Sequence, residues 1–374
     1  MDLTNLEKVL ENEPKYRLKQ ANDAVFKNFI SDWSEATFFS KDLRDKLNKE
    51  CPLGIEADVL VSKKEDSVKA RITLKDLPAQ AGGLKIETVL MRHEDGRNTV
   101  CVSSQVGCPL GCLFCATGKM GFKKNLTSDE IIEQVIFFDR YLRNEKPEPF
   151  GSAQGRVTNV TYMGMGEPFL NYDNVLKSIR ILNDKEYFNI GARSISVSTA
   201  GIIEGIKKFS GEGLQVNLAI SLHAPNDKLR KELMPIDKKY PLEAVLKAVD
   251  EYIKKTNRQV MFEYVLIKGI NDSDECAEEL SKIIHPHTKR GDWGGKNKNQ
   301  NGSRSGVGVN KKLYYVNLIL YNATGIFKPS TTQRVEKFKE ILKKNEVIFS
   351  QRYRFGDDIN AACGQFATNT KSPQ

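Results

Sequence analysis

Four of the seven cysteines lie within fifteen residues of each other: Cys101, Cys108, Cys112 and Cys115. The last three have a CxxxCxxC spacing in a segment rich in glycine and proline, so their thiols can converge on one inorganic centre. A structural zinc site normally takes four ligands, and no histidine lies nearby to be the fourth. An iron–sulfur cluster held by three cysteines keeps one iron open for a substrate. The spacing therefore favours a cluster, with a zinc loop or a chance grouping as the alternative.

Two further features have residue types suited to chemistry. Gly164–Pro168 combines two glycines with Glu167, and glycines allow a backbone to approach a ligand closely. By itself such a short segment fits an ordinary turn equally well. Cys363 lies close to the end of the chain, and both it and Cys101 could simply be buried structural thiols.

Strands and helices that alternate from about residue 84 onward must position these residues. Six apolar or β-branched segments have the length of strands in a helix-covered sheet. They are Thr99–Ser104, Val157–Met163, Ser194–Ser198, Val216–Leu222, Val260–Ile267 and Leu313–Leu320. The clearest intervening helix begins at a capping box, Thr127–Glu130. The alternation predicts an α/β fold with a parallel sheet or open barrel, whose ligands bind at the C-terminal strand ends.

Residues 1–83 are predicted to form a separate, mainly helical accessory domain, and residues 84–374 the core. Leu18, Ala21, Val25 and Phe29 have helical spacing, and Ser40 can cap a second helix. The glycine-containing stretch Pro78–Gly83 is a plausible linker. Pro286–Lys312, with seven basic residues and one acid, is predicted to be a long basic loop.

Composition narrows the class of protein. The 374 residues are 40% hydrophobic and 28% charged, which supports a sizeable core and excludes collagen-like and mostly disordered chains. An odd cysteine count without a secretion signal argues against a disulfide framework, and no apolar run is long enough for a membrane span. We therefore expect a soluble, cytoplasmic protein. The net charge of +9 is compatible with a nucleic-acid partner but equally with a well-solvated surface.

The cysteine loop, placed after the first strand of an alternating α/β chain, resembles that of the radical S-adenosylmethionine (AdoMet) superfamily. Three segments are similar specifically to the RlmN-type adenine methyltransferases of ribosomal and transfer RNA: Cys101–Cys108, Met163–Asn171 and Asp358–Gln365. The similarity extends from about residue 12 to residue 366. It implies a partial (β/α)6 barrel, a 4Fe–4S cluster on Cys108, Cys112 and Cys115, and two AdoMet molecules per turnover.

The resemblance also implies a mechanism in which Cys363 and Cys101 are catalytic. Carbon 2 of adenine is electrophilic, so a methyl cation meets no nucleophile there, whereas a carbon radical can add. Cys363 would take a methyl group from one AdoMet, and a 5′-deoxyadenosyl radical from a second would abstract hydrogen from that methyl group. After addition to the base and loss of the ring proton, Cys101 would attack the sulfur of Cys363, which releases the product and leaves a disulfide.

The same resemblance assigns the remaining site residues. Glu87 matches the family's proposed proton acceptor, although as a bare sequence feature it fits a solvated strand-end carboxylate. This chain has one more residue between Glu87 and Cys101 than some relatives have. Glu167 would accept from the amino group of AdoMet. The full set of predicted AdoMet-binding residues is Gly166, Glu167, Ser198, Ser221, Leu222, His223 and Asn322.

The predicted substrates are 23S ribosomal RNA and transfer RNA, with an external electron donor such as flavodoxin or ferredoxin, no membrane partner and a monomeric enzyme. One alternative is the Cfr-type relative, which methylates carbon 8 of an adenine in 23S ribosomal RNA with the same cluster and cysteines. The other is a non-catalytic RNA-binding protein that contains a structural zinc.

Overall fold

The computed structural model describes residues 3–74, 83–145, 155–284 and 313–367. The predicted basic loop Pro286–Lys312 and nearly all of the predicted linker Pro78–Gly83 lie outside these ranges. The strands are β1 Ala57–Val61, β2 Ser67–Thr73, β3 Lys85–Arg92, β4 Asn98–Cys101, β5 Gln105–Gly107, β6 Phe122–Asn125, β7 Asn159–Tyr162, β8 Ile195–Thr199, β9 Asn217–Ser221, β10 Val260–Leu266, β11 Tyr314–Leu320 and β12 Phe349–Gln351.

All strands except β5 and β6 form one sheet, in the order β1-β2-β3-β4-β7-β8-β9-β10-β11-β12. From β4 to β12 every neighbouring pair is parallel. The six predicted strands are therefore confirmed, and their C-terminal ends meet at one edge of the sheet. Side chains from β7, β8, β9, β10 and β11 line a single cavity, so the sheet curves around it as a partial barrel.

The helices connect and cover these strands. They are α1 Leu3–Val9, α2 Tyr16–Phe26, α3 Lys41–Glu50, α4 Ala116–Lys119, α5 Ser128–Glu145, α6 Tyr172–Asn183, α7 Ile203–Phe209, α8 Asp227–Leu233, α9 Leu242–Thr256, α10 Asp274–Ile284 and α11 Thr332–Lys344. The predicted capping box is confirmed: the Glu130 amide donates to Thr127 Oγ1 at 3.2 Å, and the Thr127 amide donates to Glu130 Oε2 at 2.8 Å. Ser40 caps α3 as predicted. Phe29 lies beyond the end of α2, because the chain turns there with φ of 53°.

The N-terminal residues adjoin the core in two ways. Strand β2 pairs antiparallel with β3, which places Arg71 opposite Glu87. The guanidinium of Arg140 on α5 donates to the carbonyl oxygen of Leu53 at 2.8 Å and to that of Ile30. Strands on both sides of residue 83 thus belong to one sheet, and the division into two domains there stays a prediction. In the part of the chain that the structure describes, no helix is both long and apolar enough to cross a bilayer.

Candidate active site

The cysteine loop is closed at its base by the short pair β5–β6. The Cys108 amide donates to the Gly121 carbonyl oxygen at 3.1 Å, where the two ends of the loop meet. Gly107 has a φ of +73°, and a Cβ atom there would lie 1.8 Å from that same oxygen. Only glycine fits this position, because a side chain would force the loop open.

Cys108, Cys112 and Cys115 line one cavity at the C-terminal edge of the sheet, which we call the cluster cavity. Cys115 and Cys108 both lie close enough to Cys112 to help raise the pKa of its thiol. Three neighbouring thiols on one cavity wall are the donor set that a 4Fe–4S cluster takes when one iron stays open for a ligand.

Cys108 and Cys112 of the cluster cavity have a raised pKa. Burial raises the pKa of Cys108 to about 12 and that of Cys112 well above its ordinary value, and the neighbouring cysteines add to both shifts. The thiols of Cys108 and Cys112 are thus protonated in the protein without a cluster, and iron binding has to displace their protons.

Most of the predicted AdoMet ligands line the same cluster cavity. Gly166, Glu167, Ser198, Ser221 and His223 do so, each at or just after the end of a parallel strand. Leu222 is fully buried behind the wall, and its amide donates to the Glu263 carbonyl oxygen at 3.0 Å. Asn322 lines a neighbouring cavity, where its side-chain amide donates to the Cys363 carbonyl oxygen at 3.0 Å.

Glu167 is a buried carboxylate held by backbone amides. Its two oxygens accept from the amides of Phe169 at 2.9 Å and Ala200 at 2.7 Å, and only 3% of the residue is exposed. Burial raises its pKa to about 7, partly offset by these hydrogen bonds. A carboxyl group fixed in this way at a cavity wall suits a cationic ligand such as an ammonium group.

His223 is a neutral wall residue. Its Nδ1 accepts from the Val265 amide at 3.1 Å, so the ring proton lies on Nε2. Burial lowers its pKa to about 3, and Phe114 of the cysteine loop packs edge-on against it at 4.8 Å. The histidine thus offers a hydrogen-bond donor without a charge.

Glu263 and Asn322 each line one of these cavities, and their hydrogen bonds indicate what kind of ligand fits. Glu263 Oε2 accepts from the side-chain amide of Asn317 at 2.9 Å, and Glu263 is 2% exposed. Its Oε1 and the Oδ1 of Asn322 are buried, and neither has a hydrogen-bond partner among the residues that the structure describes. A buried acceptor without a donor is costly, about 1–3 kcal/mol. The two cavities are therefore matched to a ligand rich in donors, and AdoMet, with its amine and ribose hydroxyls, is one.

A second cavity, which we call the cysteine cavity, contains both predicted catalytic cysteines. Cys101 and Cys363 line it together with residues of β3 and of the chain after β12. It adjoins the cluster cavity through seven shared wall residues: Cys115, Met163, Gly164, Ile319, Arg352, Cys363 and Gly364. Cys101 at the end of β4 and Cys363 near the end of the chain are thus brought to one space beside the cluster loop. Neither forms a disulfide in this structure.

Arg352 is the charged group common to both cavities. Its guanidinium donates to Met163 Sδ at 3.1 Å, and its interactions with Cys363, Glu263 and Cys101 raise the pKa of Arg352. Burial and the facing Cys363 raise the pKa of Cys101 to about 12, and Arg352 opposes that shift. Arg352 thus favours the thiolate form of Cys101, which is the form of a cysteine that acts as a nucleophile.

The segment that carries Cys363 is anchored on two sides. Toward the cluster loop, the Ala116 amide donates to the Gly364 carbonyl oxygen at 2.8 Å, and Thr117 Oγ1 donates to that of Phe366 at 2.7 Å. Toward β2, Lys69 Nζ donates to the Asn360 carbonyl oxygen at 3.0 Å. These contacts set where Cys363 lies relative to Cys115.

Glu87 lies behind this segment rather than on a cavity wall. It pairs with Lys69 at 2.8 Å, both side chains are at most 5% exposed, and its Oε2 accepts from the Ala367 amide at 2.9 Å. Along β3 its side chain points to the same face as Val89 and Met91, which do line the cysteine cavity. For the carboxylate to reach a base in that cavity, its contact with Ala367 has to break.

Arg352, Glu263 and Lys69 were not predicted from the sequence. One signal was available, because Glu263 is the only charged residue in the otherwise apolar strand Val260–Leu266. Arg352 and Lys69 have no local pattern that distinguishes them from other basic residues. Their roles depend on neighbours far away in the chain.

Comparison with known proteins agrees with this geometry. The sequence-family model described as Radical SAM superfamily matches residues 102–280 of this chain. A probable dual-specificity RNA methyltransferase RlmN of Streptococcus thermophilus (strain CNRZ 1066) is 40% identical over 366 residues, which cover 97% of this chain and 85% of that relative. A probable dual-specificity RNA methyltransferase RlmN 2 of Protochlamydia amoebophila (strain UWE25) is 39% identical over 365 residues, which cover 97% of this chain and 91% of that relative.

Among solved structures, a radical SAM methyltransferase from Sphaerobacter thermophilus has a TM-score of 0.84 and 36% identity, with 99% of this chain and 98% of that chain covered. The match covers nearly the whole chain and thus spans both the cysteine loop and the segment around Cys363. The chain therefore belongs to the RlmN family of radical SAM RNA methyltransferases, as its cysteine pattern and its three characteristic segments predicted.

Proposed function

We propose that this radical SAM methyltransferase methylates carbon 2 of an adenine in 23S ribosomal RNA and in transfer RNA. The observation that carries the proposal is that Cys101 and Cys363 line one cavity, which adjoins the cavity of the three cluster cysteines. Two nucleophilic sulfurs beside a cluster site suit a reaction in which the methyl group passes through the protein. The names of the relatives support RNA as the substrate.

When bound, a 4Fe–4S cluster and AdoMet supply a methyl group and a 5′-deoxyadenosyl radical. The chain would hold them with Cys108, Cys112 and Cys115, and would orient AdoMet with Glu167 toward its ammonium group. Ser198, Ser221 and the neutral donor of His223 would complete the wall. The unpaired oxygen of Glu263 is suited to accept from a hydroxyl of the same ligand.

Cys363 carries the methyl group in this proposal. Its thiolate accepts the methyl group by displacement, and loss of one hydrogen atom lets that carbon bond to carbon 2 of the adenine. The adduct then loses the ring proton and one electron, which the oxidised cluster, when bound, would take back. Cys101 Sγ attacks Cys363 Sγ, so that an S–S bond forms while the bond from Cys363 to carbon breaks, and the released carbon takes up a proton to become the methyl group. Two electrons and two protons from an external donor then restore both thiols.

The proton acceptor expected from the family is Glu87. Its position on the same face of β3 as Val89 and Met91 supports the assignment, and its pairing with Lys69 and Ala367 requires that the C-terminal segment shift during turnover. We expect this shift at the stage when Cys363 is attached to RNA, because the base then has to fit into the space between the two cysteines.

The test is mass spectrometry of RNA treated with the reconstituted enzyme under anaerobic conditions. We expect 2-methyladenosine in 23S ribosomal RNA and in transfer RNA, with one S-adenosylhomocysteine and one 5′-deoxyadenosine formed per methyl group. Cys112→Ala, which leaves two cluster thiols, is the control and should form no 5′-deoxyadenosine. The finding of 8-methyladenosine instead would support the Cfr-type alternative. The finding of zinc without labile sulfide in the purified protein would contradict the proposal that it is a radical SAM enzyme.

A further inference from the structure

The mouth of the cysteine cavity has an exposed aromatic side chain. Tyr16, Phe38, Phe122 and Tyr353 are the aromatic residues with at least 42% exposure among those described, and of these Tyr353 alone lines the cysteine cavity. It is 56% exposed. A single exposed aromatic residue is ordinary on a protein surface, so its position at this cavity, rather than its exposure, is what calls for an explanation.

The ring of Tyr353 is held in place before any ligand binds. Phe355, which also lines the cavity, packs edge-on against it with ring centres 4.7 Å apart, and His93 supports Phe355 at 5.0 Å. On the other side, the Tyr353 hydroxyl is 3.5 Å from Lys64 Nζ and 3.5 Å from Asp66 Oδ2 in the turn between β1 and β2. A ring fixed by both neighbours loses little conformational freedom when a flat ligand stacks on it.

Around the ring three basic side chains face two carboxylates, those of Asp66 and Asp357, and this net positive charge favours a polyanion over an apolar partner. Lys64 Nζ lies 6.0 Å from the centre of the Tyr353 ring, and Arg352 and Arg354 precede and follow it along the cavity wall. Arg354 Nη1 is 3.4 Å from one carboxylate, that of Asp357. Aromatic rings flanked by lysine and arginine are the usual stacking surface for single-stranded nucleic acid.

The cysteine cavity has a buried end and an exposed rim, and these two places suit two different nucleotides of an RNA. Cys101 is 5% exposed, so a base that reacts beside it has to lie deep inside, whereas Tyr353 is more than half exposed at the rim. We propose that Tyr353 stacks on the nucleobase next to the adenine that enters the cysteine cavity, and thereby positions the RNA. This inference rests on the proposed function, since it takes RNA as the substrate of that cavity.

The experiment uses the full-length protein and a short hairpin RNA with 2-aminopurine at the modified position or at either neighbour. Stacking on an aromatic ring quenches this fluorophore. Tyr353→Ala should weaken RNA binding by about 5- to 100-fold, raise KM for RNA and abolish the quenching at one neighbouring position. Tyr353→Phe keeps the ring and should bind as the unchanged protein does. Ile348→Ala removes an exposed apolar side chain just before β12, outside the cavity wall, and is the matched control.

The melting temperature of Tyr353→Ala should lie within about 1 °C of that of the unchanged protein, as for other exposed side chains, which shows that the variant folds. RNA affinity within twofold of the unchanged protein in Tyr353→Ala would overturn the proposal. A loss in Tyr353→Phe equal to that in Tyr353→Ala would overturn it too, because the hydroxyl would then be responsible. The proposal would also be overturned if Tyr353 were needed for quenching of 2-aminopurine only at the modified position and at neither neighbour. If the unchanged protein binds the hairpin but forms no methyladenosine, the proposed function fails, whereas the stacking result stands on the binding data.

Discussion

Replacing Glu87 with glutamine separates its contribution to folding from its contribution to proton transfer. The carboxylate accepts from Lys69 at 2.8 Å and from the Ala367 amide at 2.9 Å, and the two paired side chains are 2% and 5% exposed. Glutamine keeps an acceptor oxygen but no charge. The ammonium group of Lys69 then stays buried, with the Asn360 carbonyl oxygen as a neutral partner.

The expected loss follows from the burial of the pair. Removing one charge of a buried ion pair lowers the free energy of unfolding by about 3–5 kcal/mol. Because the side-chain oxygen of glutamine can still accept a hydrogen bond, we expect a loss near the lower end, about 3 kcal/mol. At roughly 2.1 cal/mol/K per residue, unfolding of the 374 residues has an entropy of roughly 0.8 kcal/mol/K. The melting temperature of Glu87→Gln should therefore fall by about 4 °C. Lys69→Met in the same background removes the stranded charge and should recover most of this loss.

The assay pairs thermal unfolding with turnover on RNA. We expect the double variant Lys69→Met/Glu87→Gln to regain its melting temperature but not its methylation activity, because an amide cannot accept the ring proton. Glu145→Gln makes the same chemical change in a more exposed pair with Arg92 and should shift the melting temperature by less than about 1 °C. An unchanged melting temperature in Glu87→Gln would refute the stability argument. Turnover near that of the unchanged protein in the double variant would remove Glu87 from the proton transfer.

Three further predictions concern the cavities. Cys363→Ala should form no methylated RNA, whereas Cys101→Ala should accumulate protein covalently attached to RNA on denaturing gels; normal turnover by Cys101→Ala would exclude it from product release. Arg352→Gln removes the charge that opposes the raised pKa of Cys101, so release should slow roughly tenfold for each unit of further increase, and the same adduct should build up. The pKa of Glu167 is raised to about 7, so below pH 7 its carboxyl is protonated and must lose that proton to bind an ammonium. Calorimetry should show that AdoMet affinity falls by up to tenfold per pH unit below about 7, and Glu167→Gln should bind weakly with no such slope.

Local patterns predicted the scaffold because they depend on residues close together in the chain. Alternating apolar strands and helices predicted the parallel strands from β4 to β11, and the capping box of α5 and the Ser40 cap of α3 were confirmed. The same reasoning overextended α2 to Phe29. A left-handed backbone conformation at a non-glycine residue leaves no signature in hydrophobic spacing.

The sequence by itself determined the cysteine loop, the glycine at its base and the strands of the sheet, since each follows from residue type and short spacing. The choice of Glu167, Ser198 and Ser221 at the strand ends came from the family resemblance. The family resemblance already implied that Cys363 meets Cys101, whereas only the tertiary structure decided that Arg352 faces both cysteines and that Lys69 pairs with Glu87. These contacts join residues that lie far apart in the chain. They form only after the parallel register of the sheet and the return of the C-terminal segment have fixed which buried charges and thiols become neighbours, and no local pattern carries that information.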